Sequence, residues 1–136
     1  DFYVFGKGKI LLISYGRVSV EVLKAIEILK KHNIEAASII LNKIKPIPSQ
    51  VVEIAKGFES VYFYEESEKS GSIGQSFAQL LLSKDFKGSY KHIAVDDEFV
   101  PHASVDSLMK KLKSEKDGIV NRLIKHNGFF EHFFNT

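Results

Sequence analysis

The 136-residue chain contains no cysteine. That excludes a disulfide scaffold, a thiolate metal site and a cysteine nucleophile, and it fits a reducing compartment. The expected location is therefore the cytoplasm. An excess of one charge is missing as well: 19 basic against 17 acidic residues leave a formal net charge of +2. So small a field favours neither nucleic acid nor an anionic membrane surface as a partner. No apolar run approaches the roughly 20 residues that cross a bilayer. No charged segment followed by an apolar block opens the chain, so a secretory leader is not expected. The first residue is Asp1 rather than Met, and we expect the chain to be a piece of a longer protein.

Several signatures of self-contained chemistry are also missing. No GxGxxG follows a strand, and no Gly-Lys-Ser/Thr marks a phosphate loop. No serine stands in a GxSxG elbow. The five histidines, His32, His92, His102, His126 and His132, show no helical i, i+4 metal spacing and no HExxH. No catalytic residue, metal ligand or cofactor fingerprint is therefore assigned to this chain.

What is present is a core and a rhythm. Hydrophobic residues make up 44% of the sequence, enough for one domain of ordinary size to bury a core without staples. Phe2 to Phe5 reads as a short aromatic strand closed by Gly6-Lys7-Gly8. Ile10 to Ile13 is continuously apolar, as in a strand covered on both faces, and Ser14 to Arg17 follows as a loop. Val22, Ala25, Ile26 and Leu29 recur at helical spacing opposite Glu21, Lys24, Glu27, Lys30 and Lys31, with Asn33 as the stop. Ala36 to Leu41 is the next strand, and Lys45 to Pro48 interrupts regular structure. Ser49 is placed to cap a short helix with Val51, Val52, Ile54 and Ala55 inward. Ser60 to Tyr64 is β-branched and aromatic and reads as a central strand. A helix after Gly74 turns Phe77, Ala78, Leu81 and Leu82 inward. Tyr90 to Val95 is the last strand. Ser104 caps a helix carrying Val105, Leu108, Met109 and Leu112. A final helix begins near Asp117, and residues 127–136 form an aromatic tail.

Strands alternating with helices imply right-handed crossovers and a parallel sheet covered on both faces. We expect a single domain over residues 1–136: a three-layer α/β/α fold with a mostly parallel five-stranded sheet and a short N-terminal antiparallel edge strand. The strand at 10–13 should lie centrally, between those at 36–41 and 60–64. The loops at the carboxyl ends of the strands then share one rim, made of Ser14–Arg17, Glu65–Gly74 and Asp96–Ser104.

That rim holds the candidate site residues. Gly71-Ser72-Ile73-Gly74 opens a helix, where backbone N–H groups and the helix dipole suit an anion or a carboxylate; the plainer reading is a tight turn with close helix–sheet packing. Glu65 and Glu66 are adjacent on a strand and face opposite ways, so they cannot act as a matched acid/base pair. One of them turns inward towards the Gly71–Gly74 amides or Arg17; the other is solvated. Arg17, after Gly16, is open to three roles: binding phosphate or carboxylate, pairing with Glu66, or meeting another domain. His102, after Pro101, is the histidine on the rim, with an ordinary surface loop as the simpler account. The aromatic tail from Phe129 to Phe134 would be an unfavourable exposed patch on a monomer.

Four stretches together resemble the C-terminal domain of the transketolase superfamily, in its 1-deoxy-D-xylulose-5-phosphate synthase branch. They are "ILLISYGR" (Ile10–Arg17), "LNKIKPIP" (Leu41–Pro48), "YEESEKSGSIG" (Tyr64–Gly74) and "VDDEFVPHAS" (Val95–Ser104). Lys116-Asp117-Gly118-Ile119 completes the pattern. The matching positions include Lys45, Pro46, Glu65, Glu66, Gly71, Gly74, Asp97, Phe99, Pro101 and Ser104. Asn42, Pro48, Ser72, Asp96 and Ala103 depart from it. The resemblance implies a division of labour. The parent enzyme binds thiamin diphosphate and magnesium between an N-terminal and a middle domain, which are this chain's expected partners in a homodimer. The cofactor carries the decarboxylation of pyruvate and its ligation to glyceraldehyde 3-phosphate. This domain binds neither cofactor nor metal and serves packing and dimer organisation. An anion or regulatory-ligand module, or a protein-docking module, is the alternative.

Overall fold

The computed structural model describes residues 1–66 and 73–95. They form five strands and three helices in the order β1 (Phe2–Gly6), β2 (Ile10–Tyr15), α1 (Val18–Lys31), β3 (Ala36–Leu41), α2 (Ser49–Ala55), β4 (Ser60–Glu66), α3 (Ile73–Ser83) and β5 (Ser89–Val95). The strand order across the sheet is β1-β3-β2-β4-β5. β2 is parallel to both β3 and β4, and β4 to β5. β1 alone runs antiparallel, along β3. The fold is the expected three-layer α/β/α arrangement with an antiparallel edge strand, and β2 sits at its centre.

Burial explains the layers. Ile10 to Ser14 of β2 are all buried, with Leu11, Leu12 and Ile13 at 0% exposure. A strand covered on both faces has no polar alternation to show, hence its continuous apolar run. One face packs Ile10, Leu12, Tyr62 and Tyr64 against Val18, Val22, Ala25 and Leu29 of α1. The other packs Leu11, Ile13, Val61 and Phe63 against Val51, Val52 and Ala55 of α2 and Ile73, Phe77 and Leu81 of α3.

Most local expectations hold at residue level. α1 ends where predicted: Asn33 takes φ +64°, and Asn33 N–H and Ile34 N–H donate to the carbonyls of Lys30 and Leu29, a left-handed helix stop. Some details differ: β4 runs on to Glu66 and β5 begins at Ser89. β2 continues through Ser14 and Tyr15, because both still pair with β3, opposite Ile40 and Leu41. Ser49 is the first helical residue rather than the cap: Pro48 holds that position, with no side-chain capping bond. Its ring fixes φ at a helix-compatible value, and its carbonyl accepts from Val51 N–H. Leu82 is 72% exposed, not inward. Ile73, Phe77 and Leu81 follow one another at i+4 on the buried face, and Leu82 is rotated about 100° away from that stripe. The expected helices after Ser104 and near Asp117, the aromatic tail at 127–136, and Gly71, Ser72 and His102 lie outside the described residues.

Candidate functional site

The carboxyl ends of β2 and β4 bring the rim together. Gly16 turns the chain from β2 into α1 with φ +73°, a left-handed conformation that a side chain resists. Ser19 N–H then donates to the Gly16 carbonyl, and Ser14 Oγ lies 2.9 Å from Ser19 Oγ in the interior. This places Arg17 at the start of α1, where its Nε donates to Glu66 Oε1 at 3.1 Å. The Arg17 side chain is 66% exposed, so this ion pair is worth at most about 1 kcal/mol.

Glu65 faces the other way, as strand alternation requires. It is the one buried acidic residue among the described residues, at 0% exposure. Its Oε2 accepts from the Tyr15 hydroxyl at 2.7 Å. Its Oε1 accepts from Gly74 N–H at 3.2 Å and lies 2.7 Å from His92 Nε2. The imidazole nitrogen and the carboxylate oxygen share one hydrogen bond. Tyr90 completes the cluster by donating from its hydroxyl to the Gly74 carbonyl at 2.6 Å. A carboxyl group taken out of water needs hydrogen-bond partners, and here both oxygens are engaged.

Gly74 lies close against β5. A Cβ built on it would lie 2.4 Å from the His92 ring. The glycine therefore permits both the carboxylate bond and the helix–strand packing. Aromatic rings seal the cluster from below: Phe63 stands edge-on to His92 with centroids 6.2 Å apart, and Phe77 lies 5.5 Å from Phe63. Burial first, then the hydrogen bond to Glu65 and the charges of Glu65 and Glu66, push the Tyr15 hydroxyl well above its ordinary titration range. Burial and the Glu65 charge do the same to Tyr90. Both hydroxyls stay protonated and act as donors.

Of the candidate residues, the structure brings Gly16, Arg17 and Glu66 together on the α1 side of the sheet and places Gly74 on the α2/α3 side, bound to Glu65. Sequence reasoning did not include Tyr15, Tyr90 or His92. Tyr90 and His92 alternate on one face of β5, and Glu65 sits at an end of β4; only the register, with His92 beside Phe63 and Ala94 beside Glu65, joins them. The cluster ties β2, β4, β5 and α3 to one carboxylate. It offers fixed geometry rather than a nucleophile. Among the described residues, no group of three or more His, Asp or Glu is placed to hold a metal ion, and no helix is long and apolar enough to cross a membrane.

Comparison with known proteins fits this description. Residues 6–119 match the transketolase C-terminal domain family. A 1-deoxy-D-xylulose-5-phosphate synthase of Crocosphaera subtropica is 34% identical over 109 residues, covering 74% of this chain and 17% of that protein. One from Caldanaerobacter subterraneus subsp. tengcongensis is 27% identical over 131 residues, covering 90% of this chain and 21% of that one. The chain thus spans about a fifth of the length of the curated synthases it matches. A solved split gene transketolase, described as an inactive beta4 tetramer, superposes with a TM-score of 0.66 at 21% identity, over 81% of this chain and 40% of that one. With the family matched along most of the sequence and the fold matched in space, the chain belongs to the transketolase C-terminal domain family, among relatives most of which are 1-deoxy-D-xylulose-5-phosphate synthases.

Proposed function

We propose that this chain is the non-catalytic C-terminal domain of a cytoplasmic, thiamin-diphosphate-dependent 1-deoxy-D-xylulose-5-phosphate synthase. The parent converts pyruvate and glyceraldehyde 3-phosphate to 1-deoxy-D-xylulose 5-phosphate and carbon dioxide, supplying isoprenoid and thiamin precursors. In it the chain packs against the N-terminal and middle domains and helps to organise a homodimer. The carrying observation is the pattern of similarity: up to 90% of this chain matches synthases of which it covers about a fifth. The rim chemistry supports the same division. Glu65, the buried carboxylate nearest the strand ends, is fully used in holding Tyr15, Gly74 and His92, so it is not available to a diphosphate-bound metal. The described residues do not fit a thiamin diphosphate–magnesium site, and no step of the reaction is assigned to them.

The alternative, an anion or regulatory-ligand module at the rim, needs Arg17 turned to a ligand. Its Nε instead donates to Glu66, which favours the packing role. The test is the native protein itself. An antibody to this domain should detect a product several times the size of this chain, and that product, purified intact, should form 1-deoxy-D-xylulose 5-phosphate when supplied with thiamin diphosphate. A native product of this chain's own size with no companion subunit, or a large product without that activity, overturns the assignment.

A further inference from the structure

We draw no further inference here: the strongest candidate, the apolar groove between the β1 edge and α1, lined by Phe5, Leu23, Ile26 and Ala36, carries nothing because nothing in the structure shows what covers it.

Discussion

Replacing Glu65 by alanine tests the buried cluster most directly. The substitution removes the acceptor of the Tyr15 hydroxyl, Gly74 N–H and His92 Nε2 at once. These losses are unequal. Tyr15 is only partly buried and the His92 side chain is 19% exposed, so water reaches both and compensates in part. Gly74 N–H is buried, opens a helix, and finds no new partner. One unsatisfied buried donor costs about 1–3 kcal/mol. The lost charge-assisted bonds and the space left by the carboxyl group bring the total to about 3–4 kcal/mol, comparable with breaking a buried ion pair. With a urea m value of about 2 kcal/mol/M for a chain of this size, the unfolding midpoint should fall by nearly 2 M. Glu65→Gln keeps one oxygen for Gly74, and the Tyr15 hydroxyl can rotate to accept from the new amide; it should cost about half as much. A Glu65→Ala midpoint within about 0.3 M of the parent would refute the claim that this carboxylate organises the strand ends.

Three further outcomes follow from the same geometry. Gly74→Ala forces the His92 ring away from Glu65, because the added carbon meets it at 2.4 Å; it should cost about 2 kcal/mol, and much less when His92→Ala is already present, read from a double-mutant cycle in urea. Tyr15 and Tyr90 are held protonated in the fold above the ordinary value of 10.0. Below pH 10 both folded and unfolded chains keep these protons and stability is unaffected; above it only the unfolded chain releases them, so stability falls as pH rises. Tyr90→Phe should flatten that fall, as followed by thermal melting between about pH 9 and about pH 11.5. Arg17→Ala removes an exposed pair with Glu66 and should change the urea free energy by less than about 1 kcal/mol; a larger loss would show that Arg17 anchors more than this contact.

The division between what the residues alone determine and what tertiary structure decides is sharp here. Continuous apolar runs at Ile10–Ile13 and Ala36–Leu41, separated by an amphipathic helical stretch, point to a parallel sheet covered on both faces, because helical crossovers between such strands lay helices over the sheet. The stop at Asn33 and the opposite orientation of Glu65 and Glu66 likewise follow from local stereochemistry. So does the neighbourhood of Arg17 and Glu66, once β2 is placed at the centre. Boundary details yielded to context: pairing with β3 carried β2 through Tyr15, and the neighbours of α3 settled which leucines it buries. The Glu65 cluster is different in kind. Tyr15, Glu65, Gly74, Tyr90 and His92 come from four elements and share no spacing along the chain. They meet because β4 pairs in parallel with both β2 and β5, and because Gly74 lets α3 approach the His92 ring. Register is a property of strands in contact, set by the packing of whole faces, and no short stretch of sequence contains it.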